Sequence, residues 1–131
     1  MTGYEISDLL ASNRTLISET WNYFLTVHLA IFGIIYIASG RTGVTERIIL
    51  VVAYLAFMVI NYAGQVDNYG NYERLIEQIA GMPDSVDGAA QAKALVKLAP
   101  VWITDWLPEV YAAAAAVSSL ILLLINRDRA A

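Results

Sequence analysis

The sequence predicts an all-α integral membrane protein: three transmembrane helices, an amphipathic N-terminal helix, and a helical extramembrane segment between the second and third spans. Three observations carry that prediction. The 131-residue chain is 58% hydrophobic and only 15% charged. Its mean hydropathy is +0.55, outside the usual balance of a soluble domain. Its apolar residues gather in three stretches, 21–39, 48–64 and 106–125. A hydrocarbon core about 30 Å thick takes about 20 mostly apolar residues in a helix, because lipid offers no partner to an unpaired backbone group. A chain of this length is one domain holding all three spans.

Composition removes several classes of function. There is no cysteine, which excludes disulfides, thiolate zinc sites, iron–sulfur clusters and cysteine nucleophiles. Twelve acids against eight bases give a formal charge of −4, and the bases are scattered, so nucleic acid is not an expected partner. No serine-hydrolase elbow, zincin motif, P-loop or dinucleotide fingerprint is present. The sequence therefore points away from covalent chemistry and toward no cofactor.

In the first segment, 1–20, Thr2 stands three residues before Glu5, the spacing of a capping box. Apolar residues follow at Ile6, Leu9, Leu10, Leu16 and Ile17 with helical period, interrupted by polar ones. Such a helix lies on the membrane surface, packs on a neighbour, or runs straight into the first span. It is no secretory signal peptide, because the bases Arg41 and Arg47 come after the hydrophobic run.

The first span, 21–39, carries no charged side chain and holds the only histidine, His28. Gly40 and Gly43 bracket a short basic connection, so the first two spans form an antiparallel hairpin. Arg41 and Arg47 in that connection, and Arg127 and Arg129 in the tail 126–131, mark the cytoplasmic side by the positive-inside tendency. The region 65–105, with three bases against six acids, falls on the opposite side with the N-terminus. The expected topology is N-terminus out and C-terminus cytoplasmic, in a plasma or inner membrane.

The second span does not end where lipid does. A helical rhythm continues through Tyr62, Gln65, Tyr69, Tyr72, Ile76 and Ile79. One helix over about 48–80 would be roughly 50 Å long at about 1.5 Å per residue. Gly64 and Gly70 offer the alternative of a break, and Gly81 and Pro83 supply the stop. From Asp84 a short amphipathic helix is expected to rest on the membrane surface, with Lys93 and Lys97 on its polar side. Pro100 ends it, Trp102 and Trp106 sit at interfacial height, and Pro108 falls in the first turn of the third span.

The candidate residues follow from this threading. His28 lies in the outer half of the membrane, where an unpartnered charge is costly. Asn22, Asn61, Tyr62, Gln65, Glu109 and Tyr111 come to a similar level, and together they make an outer-leaflet polar cluster, with Glu19 and Tyr23 above it. The simplest role for such a cluster is interhelical hydrogen bonding. His28 is also the one candidate axial ligand for a haem or pigment, although no second ligand accompanies it. Ala112 with Ala116, and Ala115 with Ser119, give the small-residue spacing through which membrane helices dock. Four Asn-Tyr pairs occur, at 22–23, 61–62, 68–69 and 71–72, and Tyr69 and Tyr72 form an expected docking surface. Asp67, Glu73 and Glu77 read as a solvated face.

Three functions follow, in order of expectation. The first is a non-enzymatic membrane protein that self-associates or serves as an accessory subunit, with the lipid bilayer and other membrane helices as partners. The second is an oligomeric ion or proton channel, or a transport element, gated at the His28 level. The third is an electron-transfer or pigment-binding subunit holding its cofactor at His28.

Overall fold

The computed structural model describes residues 1–38, 42–97 and 103–124. They form four helices, α1 (Gly3–Ala38), α2 (Val44–Ala80), α3 (Ala89–Val96) and α4 (Ile103–Leu124), with no strand among the described residues. Three of them, α1, α2 and α4, are long and apolar enough to cross a membrane. Gly40, Arg41, Pro100, Trp102, Arg127 and Arg129 lie outside the described residues.

The ends of the helices show why they start and stop where they do. At α1 the capping box is closed: the Thr2 N–H donates to the Glu5 carboxylate at 2.8 Å, and the Glu5 N–H to the Thr2 hydroxyl at 3.2 Å. The helix then continues to Ala38, so the N-terminal segment runs directly into the first span. At α2 the Gly43 N–H donates to the Glu46 carboxylate at 2.6 Å. This helix passes through Gly64 and Gly70 without a break. It is closed at its far end by the Gly81 N–H on the Glu77 carbonyl, at 3.0 Å. The start of α4 differs from the expected one. It begins at Ile103, so Pro108 lies inside the helix rather than in its first turn, where it supplies no N–H to the carbonyl four residues earlier.

The chain divides into two compact units, one of Met1–Thr20 with Gly64–Asp105 and one of Trp21–Ala63 with Trp106–Ala131. In the first unit, Ile6 and Leu10 of α1 pack with Tyr72 and Ile79 of α2 and Ala92 of α3. Ala89 and Ala92 are buried in this unit, so α3 packs one face on the protein's own core. Around the core, the Arg14 guanidinium donates to the Tyr72 hydroxyl at 3.0 and 3.2 Å, and the Asn68 amide donates to the Thr20 hydroxyl at 3.2 Å. Lys93 pairs with Asp84 at 2.7 Å, and this neighbouring ammonium holds the exposed carboxyl below its ordinary pKa.

A glycine pair fixes the loop before α3. Gly88 sits at φ 77°, in the left-handed region that favours glycine. A Cβ on Gly3 would overlap the Gly88 carbonyl group and lie 2.6 Å from the Ala89 nitrogen. The Gly3 N–H donates to the Asp87 carbonyl at 2.7 Å, which the close approach permits.

In the second unit the inward positions are Phe24, His28 and Ile31 on α1, Tyr54, Met58 and Asn61 on α2, and Leu107, Tyr111, Ser118 and Leu122 on α4. They recur at intervals of three, four and seven, the spacing of one face of a helix. The outward positions are apolar as well, among them Leu25, Leu29, Val52, Ile60 and Leu120. Helices apolar all round suit a bilayer, where the outer face meets hydrocarbon. Arg47 joins two helix ends: its guanidinium donates to the Thr42 carbonyl at 3.0 and 3.3 Å and to the Leu123 carbonyl at 3.5 Å. The start of α2 and the end of α4 therefore meet.

The Gly3–Gly88 contact generates a direct test. Gly3→Ala should destabilise the protein by about 1–3 kcal/mol, the usual cost of forcing atoms into a closed contact. Thermal unfolding of the purified protein, followed by circular dichroism, reads it, and an unchanged midpoint would show that the loop yields freely.

Candidate functional site

The polar centre of the second unit is built from one position on each of three helices. On α1, a single turn separates Phe24 from His28, and the His28 Nδ1 lies 2.6 Å from the Phe24 carbonyl oxygen. That oxygen can only accept, so this contact is a hydrogen bond when Nδ1 carries the hydrogen. On the other side of the ring, Nε2 lies 2.8 Å from the Tyr54 hydroxyl of α2. The same hydroxyl lies 3.1 Å from the Ala114 carbonyl of α4, with the Ser118 side chain beside it. A second polar pair lies on the same helices, where the Tyr111 hydroxyl donates to the Asn61 amide oxygen.

Aromatic rings join the two pairs. Phe24 stacks at 4.2 Å from the His28 ring and 4.9 Å from Tyr111, which also meets Trp21 at 6.0 Å and Tyr62 at 5.3 Å. Tyr54 meets His28 edge-on at 5.5 Å. The result is a continuous ring cluster with the polar atoms paired inside it.

Of the residues expected at this level, His28, Asn61, Tyr62 and Tyr111 do come together. Asn22 and Glu109 do not: both are exposed. Each stands two residues from an inward position, Asn22 from Phe24 and Glu109 from Leu107 and Tyr111. At about 100° per residue that places them on the far side of the helix. Glu19 and Tyr23 are exposed too. Gln65 is completely buried, but it belongs to the first unit and both of its amide atoms lack a partner among the described residues.

Tyr69 and Tyr72 also depart from expectation. They are 8% and 6% exposed and offer no docking surface, because both fall on the inward seam of α2, where Tyr72 joins the core and receives Arg14. The four small residues of α4 divide between two faces. Ala115 and Ser119 are half-buried, whereas Ala112 and Ala116 are exposed.

Tyr54 and Ser118 are the residues that sequence reasoning missed. Tyr54 stands among aliphatic residues with nothing beside it to mark it. Its signal was positional, since Tyr54, Met58 and Asn61 continue the same three-and-four spacing.

The chemistry available here is hydrogen bonding and proton exchange. Both nitrogens of His28 are engaged, so ligation of a haem or pigment metal would require one of these bonds to break. Among the described residues there is no group of three His, Asp or Glu side chains able to hold a metal ion. Asp67, Glu73 and Glu77 are exposed.

Gln65 supplies a measurable consequence. A buried amide with neither donor nor acceptor satisfied costs about 1–3 kcal/mol, so Gln65→Met, similar in size, should stabilise the protein by that order. Chemical denaturation of the two proteins compares them, and a loss of stability would mean that the amide has found a partner.

Compared with protein-family models, with curated proteins and with solved structures, the chain matches none of them, so the reading of this site rests on its own geometry.

Proposed function

We propose that this protein is a non-enzymatic, multi-pass integral membrane protein that assembles with other membrane helices, either as a homo-oligomer or as an accessory subunit, through the small-residue side of α4. The observation that carries this reading is the exposure of Ala112 and Ala116. The packing of α4 within its own unit uses Ala115 and Ser119 and leaves the other two uncovered. On the Ala112 side runs a groove of about 500 Å³, bordered by Leu55, Met58, Val59, Tyr62, Pro108, Tyr111, Ala112 and Ala115. Small side chains along such a groove let a second helix backbone approach closely, and van der Waals contact then holds helices together where lipid gives no hydrophobic drive. The pairing of His28 with Tyr54 and of Tyr111 with Asn61 fits a packing role.

The assembly is tested by size. Ala112→Leu combined with Ala116→Leu fills the approach surface on the outside of α4 and leaves its inward seam intact. Native mass spectrometry from nanodiscs should show the wild type as a complex of several chains and the double variant at least tenfold more dissociated at equal protein concentration. A monomeric wild type, with no other subunit bound, would sink the proposal.

The orientation belongs to the same proposal. Arg47 lies where the start of α2 meets the end of α4, which supports one basic, cytoplasmic face at that end. The chain has no cysteine, so single substitutions report cleanly. In intact cells an impermeant maleimide should label Ser85→Cys and spare Thr45→Cys until the membrane is opened. The reverse pattern would invert the topology.

A further inference from the structure

A count of hydrogens singles out the row of atoms around His28. It begins at the Phe24 carbonyl oxygen, passes through Nδ1 and Nε2 of His28 and the Tyr54 hydroxyl oxygen, and ends at the Ala114 carbonyl oxygen. The successive gaps are 2.6, 2.8 and 3.1 Å. Both ends are carbonyls, which accept and never donate. Three hydrogen bonds in this row therefore need three hydrogens. A neutral imidazole and a neutral phenol bring two.

Each way of placing two hydrogens leaves a fault. With one on Nδ1, the Tyr54 hydroxyl donates to Nε2, and its oxygen then faces the Ala114 carbonyl as a second acceptor. With one on Nε2 instead, Tyr54 turns to Ala114, and Nδ1 presents a lone pair to the Phe24 carbonyl across the shortest gap of the three. The first arrangement is the better one, because its fault falls on the longest gap. Only an imidazolium completes the row. Nδ1–H then donates to Phe24, Nε2–H donates to Tyr54, and Tyr54 donates to Ala114.

We infer that His28, Tyr54 and the two carbonyls form a proton-binding site between the helices. The neutral site holds its hydrogen on Nδ1. A proton arriving at Nε2 turns the Tyr54 hydroxyl from His28 to the Ala114 carbonyl, and no heavy atom has to move. The bound charge is spread over two carbonyl dipoles and faces the Phe24 ring, whose centre is 4.2 Å from that of the imidazole. The titratable side chains presented by the neighbouring helices are Tyr54 from α2 and Tyr111 from α4, the latter one ring away behind Phe24. No ion pair reaches His28 among the described residues. The site thus offers dipoles and hydrogen bonds in place of a counter-ion, and the inference does not rest on the assembly proposed above.

The single histidine makes the test unambiguous. The full chain, labelled with ¹⁵N-histidine and placed in lipid nanodiscs, is followed by NMR from pH 8 to pH 4. The expected neutral form has hydrogen on Nδ1 alone, and acidification should convert it to the doubly protonated ring while the helical circular dichroism stays unchanged. Tyr54→Phe removes the acceptor for Nε2–H. At the pH where the wild-type ring is half protonated, that variant should show at least tenfold less of the protonated form. A neutral ring with hydrogen on Nε2, a ring that stays neutral to pH 4 in the folded protein, or a Tyr54→Phe variant that titrates like the wild type would each overturn the proposal. The wild-type tautomer is read without any substitution, so the test stands even where the variant fails to fold.

Discussion

An amide, hydroxyl or imidazole turned inward between apolar helices has no water to bond to, so its partner must come from the protein. Around His28 and Asn61 the requirement decides which side chains meet, whereas Gln65 goes without a partner among the described residues. His28 takes a carbonyl from its own helix and a phenol from α2, and Asn61 takes a phenol from α4. These pairs fix the rotation of three helices about their axes, something apolar packing alone does weakly when every face is apolar. The aromatic cluster then fills the space between the pairs.

Much of the architecture was legible in the sequence. The three apolar stretches, the capping box at Thr2 and Glu5, and the unbroken rhythm past Gly64 each have a local cause, and the helices follow them. The level of a residue along a helix was also readable, and His28, Asn61, Tyr62 and Tyr111 do lie near one another. Rotation was not. Asn22 and Glu109 stand at suitable heights but on the outer face, and Tyr69 and Tyr72 look like an aromatic surface but lie on the inner seam. Periodic contrast between two faces is what orients a soluble helix, and a span that is apolar all round lacks it.

The first unit shows a different kind of illegibility. Gly3 and Gly88 are 85 positions apart, and nothing local to either announces that one approaches the other. Their contact is a property of the folded chain, made possible because neither has a side chain. Likewise α3 carries an amphipathic pattern that suits a membrane surface and a protein core equally well. Only the folded chain shows that Ala89 and Ala92 are its buried side.

One habit of α1 has a bearing on how the chain sits in a bilayer. Ser7, Thr15, Thr20 and Thr26 each return their hydroxyl to the carbonyl four residues back, at 2.7 to 3.2 Å. A hydroxyl satisfied in this way carries its partner wherever the helix goes, and Thr26 can face acyl chains without drawing on another subunit or on water. In a bilayer such hydroxyls would leave the depth of α1 to its exposed rings, Tyr23 and Tyr36.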